Sequence, residues 1–234
     1  MIGAALRRVR AALQGGLGRA ATIAVPHAVL GTEYGAHCVA TGPLTAAGRA
    51  PVVYSFGLGE DISFDLAMIE RYGAEVWGFD PTPRSIAWVR SQALPPSFHL
   101  VDKGIAATDG TIRFYEPKDP THISHSLVRH DRTRGSFVEV EVRRLETLMA
   151  ELGHDHLDVL TLDVEGAEYD AIAGMLAAPA GPRPTQLLVE FHHHLDAFPV
   201  SRTRATIDAL AAAGYQLFHV AANGRECSFL RDAR

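Results

Sequence analysis

Cysteine is scarce in this chain of 234 residues: Cys38 and Cys227 are the two it has, far apart in sequence. Closely spaced thiols are what a disulfide framework or a zinc ribbon needs, so neither is expected, and a reducing cytoplasm fits best. Long apolar runs are missing as well. Nothing approaches the ~20 apolar residues of a membrane span, and no apolar segment with a cleavage site marks a secretory signal, so a soluble protein without an integral span is expected. Basic excess is also absent. With 22 Lys and Arg against 27 Asp and Glu, the formal net charge is −5; nucleic acid is then a poor partner, and a small or neutral substrate a better one.

What is there is ordinary globular material, 47% hydrophobic and 21% charged, with length enough for one substantial core. Two segments are expected, residues 1–24 and residues 25–234. In the first, Ile2, Leu6, Val9, Leu13 and Leu17 recur every three or four positions while Arg7, Arg8 and Arg10 interrupt them, the pattern of an amphipathic helix. Its apolar face could pack on its own domain, on a second copy as a homodimer, or on a membrane surface; the first two are the simpler expectations.

From Pro51 onward short apolar runs alternate with helical patterns, the sequence form of βα units in a parallel sheet with helices on both faces. Strands are expected at Val52–Phe56, Glu75–Phe79, Phe98–Val101, Val159–Leu162 and residues 187–191, with helices at residues 63–71, 83–89, 145–152, 165–176 and 203–213. Residues 104–107 and 111–115 flank the turn Asp109-Gly110 and read as an appended hairpin. A long aperiodic loop follows over residues 116–135, then an edge strand at 137–142. Residues 216–220 and 227–230 make a terminal hairpin.

In such a sheet the ends of strands that lead into helices form a crevice, so the residues just beyond each strand are the candidate site. They are Gly57 to Asp61, Asp80, Asp102 with Lys103, Asp163 with Glu165, and Glu190 to His194. The Gly57-Leu58-Gly59 turn lets a ligand approach the backbone at two positions, and the helix after it offers free N–H groups. Asp80, about 20 residues on, stands where a carboxylate grips a ribose diol in nucleotide-binding sheets. His154 and His156, before the fourth strand, fall at the opposite end and read as surface residues.

The segments Tyr54-Ser55-Phe56-Gly57-Leu58-Gly59-Glu60-Asp61, Gly78-Phe79-Asp80-Pro81-Thr82, Leu162-Asp163-Val164-Glu165-Gly166-Ala167-Glu168 and Leu188-Val189-Glu190-Phe191-His192 resemble the FkbM-type methyltransferases. The resemblance implies an α/β fold of class I type, a doubly wound, mostly parallel seven-stranded sheet with the β-hairpin and loop inserted. It also implies S-adenosylmethionine as cofactor and methylation of a hydroxyl on a sugar or secondary-metabolite-type acceptor. Carried onto this chain, cofactor contacts fall on Ser55, Gly57, Leu58, Gly59, Glu60, Asp61, Asp80, Pro81, Asp102, Lys103 and Asp163. One departure matters. Many members carry Asp-x-Gly-Ala-Asn where this chain has Ser55 to Gly59, so the first-strand acid is Ser55, and Glu60, Asp61 or Asp163 is left to meet the methionine ammonium.

Methyl transfer from a sulfonium asks the enzyme to align a nucleophile, exclude water and take its proton. Asp163 is the expected base, with Glu190 and His192 beside it as base or orienter and Glu165 toward the substrate. His122, His125 and Ser126, in the long loop, could close over the crevice and donate to substrate oxygens. A divalent metal on Asp163, Glu190 and a histidine is the less favoured arrangement, and no metal ligands are assigned. Two other functions compete. An NAD(P)-dependent oxidoreductase uses similar mechanics, but Ile62 stands where the fingerprint needs its third glycine and no Tyr-x-x-x-Lys pair exists. A cofactor-binding scaffold without catalysis is the other.

Overall fold

A computed structural model describes residues 23–117, 133–178 and 181–232. Residues 1–22 of the expected amphipathic helix lie outside that description, as do His122, His125 and Ser126. Among the described residues, no helix is long and apolar enough to cross a membrane.

The central sheet has seven strands. Its core is β3 (Val52–Phe56), β4 (Glu75–Phe79), β5 (Phe98–Val101), β9 (Val159–Leu162) and β10 (Gln186–Glu190), all parallel; β11 (Tyr215–Val220) and β12 (Glu226–Arg231) complete it, with β12 antiparallel to both its neighbours. The order β11-β12-β10-β9-β3-β4-β5 puts β3 between β4 and β9, so the connections leave it in opposite directions and a crevice opens there.

Both faces of the sheet are covered, which is why its parallel strands read as unbroken apolar runs instead of alternating ones. Tyr54, Phe56, Phe79, Leu160 and Leu162 pack on one side with α4 (Leu145–Leu152), α5 (Glu168–Ala177) and α6 (Val200–Ala212). Val53, Val76, Val159 and Leu188 pack on the other with Phe64 and Met68 of α2 (Ser63–Tyr72) and Val89 of α3 (Pro83–Arg90). Pro83 opens α3 as expected, its missing N–H costing nothing in a first turn.

Four expectations are corrected. Residues 104–107 and 111–115 do not pair with each other. β6 (Gly104–Ile105) and β7 (Gly110–Pro117) instead flank β8 (Thr133–Arg143), parallel and antiparallel respectively, so the expected edge strand is the middle of a separate three-stranded sheet. Ahead of Pro51, where the sequence offered no pattern, β1 (His27–Leu30) and β2 (His37–Ala40) form an antiparallel hairpin followed by α1 (Thr41–Ala46). The buried Gln186 amide clamps this hairpin to the sheet, accepting from Ala40 N at 2.7 Å and donating to Ala40 O at 3.0 Å, each bond contributing about 1 kcal/mol. Helix α5 begins at Glu168, three residues later than expected. His154 is half-buried, Nδ1 2.5 Å from the Tyr54 hydroxyl and edge-on to Trp77, because the sheet's aromatic face extends to its lower end.

Candidate functional site

A cleft of about 410 Å³ opens at the carboxyl ends of β3, β4, β9 and β10, a size suited to one small-molecule ligand. Its floor is the β3 turn. Gly57 has φ +86°, and a Cβ there would lie 1.7 Å from the Asp163 carbonyl oxygen, so only glycine lets the end of β9 pass this close. Asp80 caps the turn from below: its carboxylate accepts from Gly59 N at 3.1 Å, Thr82 N at 2.9 Å and the Thr82 hydroxyl at 2.6 Å. It is buried, yet it lines the cleft.

Asp61 is held by Ser63 N at 2.8 Å and by the Thr32 hydroxyl at 2.5 Å. Burial works to raise its pKa, but those hydrogen bonds and nearby His37 overcome it and leave the carboxyl below its usual range. The loop between β1 and β2 thus reaches the cleft, and Gly35 is small because the Asp61 carboxylate sits where its Cβ would be. Tyr34 on this loop also lines the cleft, its hydroxyl pKa raised by partial burial and then by the negative field of Asp163, Glu165 and Glu190.

Sequence reasoning missed a second buried acid. Asp65, in the first turn of α2, is 2% exposed and lines the cleft. It shares a hydrogen bond with Ser55, whose oxygen accepts from the Thr161 hydroxyl at 3.1 Å. Among the described residues its Oδ1 has no partner, and burial pushes its pKa up to about 7. Ser55 thus has a carboxylate beside it, brought by the helix. An acid in a first helical turn is common enough as a complement to the helix dipole, so nothing in the sequence marked this one.

At the opposite wall the acids that follow β9, up to the first turn of α5, surround the His192 imidazole. His192, 3% exposed, lies with Nε2 3.4 Å from Asp163 Oδ1 and 3.7 Å from Glu165 Oε2, and Nδ1 3.3 Å from Glu168 Oε1. Burial would discharge it, but the Glu168 hydrogen bond and charge, with Glu165 and Asp163, win and raise its pKa to about 9. Glu168, fully buried and also missed, organises the turn: Oε1 accepts from His192 N at 2.9 Å and Oε2 from Gly166 N at 2.8 Å. Glu165 turns into the cleft from a left-handed conformation at φ +50°, the kind of strain that gathers at functional sites. Gly166 follows because the Phe198 ring fills the space of any Cβ.

Asp163 and Glu190 both line the cleft. The Asp163 pKa is raised by burial and then by Glu190; that of Glu190 is raised by burial against the pull of His192 and of Arg225, whose Nε is 3.3 Å away. Asp163 is not a helix cap, since α5 starts beyond Ala167.

Of the sequence candidates, Ser55, Gly57, Leu58, Gly59, Asp61, Asp80, Pro81, Asp163, Glu165, Glu190 and His192 therefore share one cleft. Five do not line it: Glu60, Asp102, Lys103, Phe191 and His193. Glu60 turns to Arg84 Nε at 2.7 Å, Lys103 pairs with Glu151 at 2.7 Å, and Asp102 is exposed; strand ends point at the crevice, but the residues after them need not.

Removing the Glu168 charge tests the electrostatic picture. In Glu168→Gln the His192 pKa should fall from about 9 toward or below its ordinary 6.5, read by NMR titration of the ring. The sign extends to stability: because the folded pKa is raised, the pairing stabilises fully below about 6.5 and fades as pH rises through about 9. A ring that still titrates near its native value in the variant would show that Glu168 does not charge it.

A model of the "Methyltransferase FkbM domain" matches residues 50–217. The human "Probable methyltransferase-like protein 24" is 28% identical over 156 residues, 66% of this chain and 36% of the relative. The "2-O-methyltransferase NoeI" of Sinorhizobium fredii is 28% identical over 144 residues, 53% of this chain and 57% of the relative. The chain thus spans about a third of the length of the methyltransferase-like relative and over half of the other. A solved TehB-like SAM-dependent methyltransferase from Corynebacterium glutamicum superposes with a TM-score of 0.37 at 12% identity, covering 81% of this chain and 85% of that one.

Proposed function

The chain belongs to the FkbM methyltransferase family, and from that premise we propose that it transfers a methyl group from S-adenosylmethionine to a hydroxyl of a small acceptor of sugar or secondary-metabolite type. The observation that carries this reading is the pair of buried carboxylates on the floor of one cleft, Asp80 beside the glycine turn and Asp65 with an orphaned oxygen. A buried polar atom without a partner is costly, and a ligand bearing an ammonium relieves it.

The residues fit the cofactor as follows. The Gly57 to Gly59 backbone and the first turn of α2 receive its body, Asp80 keeps free lone pairs for the ribose hydroxyls, and Asp65 meets the ammonium that a first-strand acid would otherwise meet. Bound there, S-adenosylmethionine supplies an electrophilic methyl on its sulfonium. Asp163 then takes the acceptor's proton, since its raised pKa makes it a stronger base than an ordinary carboxylate. His192, already protonated at neutral pH, orients Asp163 and balances the acids around it and does not itself serve as base. Oxygen as the methylated atom is supported by this base and by the 2-O-methyltransferase activity of NoeI. Free, buried Cys38 and Cys227 are in keeping with the cytoplasm.

Calorimetric titration with S-adenosylmethionine, S-adenosylhomocysteine and NADH tests the class: saturable binding of the two sulfur ligands is expected, and binding of NADH alone overturns it. The same titration tests Asp65. Because Asp65 must be ionised to hold an ammonium and titrates near 7, affinity should rise as pH climbs through neutrality. In Asp65→Asn that rise should vanish and affinity at pH 8 should drop about 10-fold, the scale of one charge-assisted hydrogen bond. An unchanged pH dependence would place the ammonium elsewhere.

A further inference from the structure

Away from the cleft, three potential ligands converge where the N-terminal hairpin meets the far edge of the sheet. The ligating atoms of His27 on β1, Cys38 on β2 and His219 on β11 all lie within 4.8 Å of one another. None of the three lines the cleft. We propose that His27, Cys38 and His219 form a zinc site that staples the β1–β2 hairpin to β11.

Strand geometry brings the donors together. Val29 is the register partner of Cys38, so His27, two residues back and on the same face, sits diagonally from the thiol, within reach of a side chain of its length. His219 follows a register shift in β11 between Leu217 and His219, and such bulges re-aim side chains. Ile23 N donates to Leu217 O at 3.1 Å, fastening the segment ahead of β1 to that same stretch of β11. The His27 and His219 rings are 5.7 Å apart, centre to centre.

The chemistry of the set is that of zinc. One thiolate and two neutral imidazoles make a borderline-soft donor group, and three protein ligands with solvent in the fourth position is a recurrent tetrahedral arrangement. His27 is prepared for it. Its Nδ1 lies 3.0 Å from the Val25 carbonyl oxygen, which can only accept, so Nδ1 carries the proton and the neutral ring's lone pair is on Nε2; metal-binding histidines are commonly oriented by such a bond. Bonds of about 2.0–2.3 Å would draw the three atoms closer through rotation of the exposed His27 ring. Cys38 is buried at 4% exposure, which shields the sulfur, and on binding its thiol releases its proton to solvent.

The probes are Zn(II) and, for its spectrum, Co(II), added to the chelator-treated full chain. One equivalent of Co(II) should give a thiolate-to-metal charge-transfer band with tetrahedral visible bands, Zn(II) should displace it, and Zn(II) should raise the melting temperature. Cys38→Ser and His27→Gln should each abolish the band and the stabilisation, whereas Cys227→Ser should leave both. Because His27 is exposed, its variant keeps the test decisive where Cys38→Ser folds poorly. Absence of a thiolate band in the native chain, or a band that survives His27→Gln, overturns the site. S-adenosylmethionine binding followed on the same samples is expected to persist without zinc, so its failure would count against the methyltransferase reading alone.

Discussion

Asp163→Asn is expected to lower kcat for methyl transfer by roughly 10²- to 10⁴-fold, the usual contribution of a positioned base, while S-adenosylmethionine still binds. The substitution preserves size and leaves Asp163 N donating to Phe56 O at 3.1 Å, so the end of β9 stays in place. What it removes is an acceptor for the substrate's proton. The pH profile gives a second readout. Burial and Glu190 raise the Asp163 pKa, so the rising limb of kcat should lie above the ordinary carboxylate range, and activity should be lost as pH falls through it and Asp163 takes up a proton. In the Asn variant that limb should disappear from the residual rate. A native profile flat from acid to alkaline pH, or a loss confined to cofactor affinity, would reassign Asp163 from base to anchor.

Asp80→Ala should weaken S-adenosylmethionine binding by about 1.5–3 kcal/mol, the range for a hydrogen bond to a charged group, which is roughly 10-fold or more in dissociation constant. Two losses add. The ribose hydroxyls lose their acceptor, and Gly59 N, Thr82 N and the Thr82 hydroxyl lose the carboxylate that holds the turn around it. Asp102→Ala is the matched control. Asp102 also follows a strand of the same sheet, but it is exposed and stands outside the cleft, so its removal should leave affinity unchanged. Calorimetry on both variants separates a specific ribose acid from a general effect of negative charge at the strand ends; equal weakening by both would favour the latter.

The parallel strands were legible because burial on both faces leaves a run such as Val52–Phe56 with no solvent-facing position to fill with a polar residue. The first hairpin was not. His27–Leu30 and His37–Ala40 are four residues each, with two of the first four exposed and three of the second four buried, so neither is long enough to show the polar–apolar alternation by which strands are recognised. β8 was mistaken for an edge strand because local sequence shows alternation but not partners; it has two, one on each side.

The site divides in the same way. Gly57, Asp80, Asp163 and Glu190 could be named from the chain alone because their role follows from position at a strand end, and strand ends follow from apolar runs. Asp65 and Glu168 could not, since each looks like an ordinary acid in a first helical turn, and only packing shows that one is 2% and the other 0% exposed. The charge on His192 was equally hidden. It depends on a 3.3 Å approach to a carboxylate 24 residues away, and electrostatic energy in a buried site is set by distance and surroundings. The order of residues thus determined the βα repeat, the glycine turn and the acids at the crevice, because these rest on local periodicity and backbone sterics. The tertiary structure alone decided which acids lose their water, which histidine holds a proton, and which distant donors, Cys38 among them, come within reach of one another.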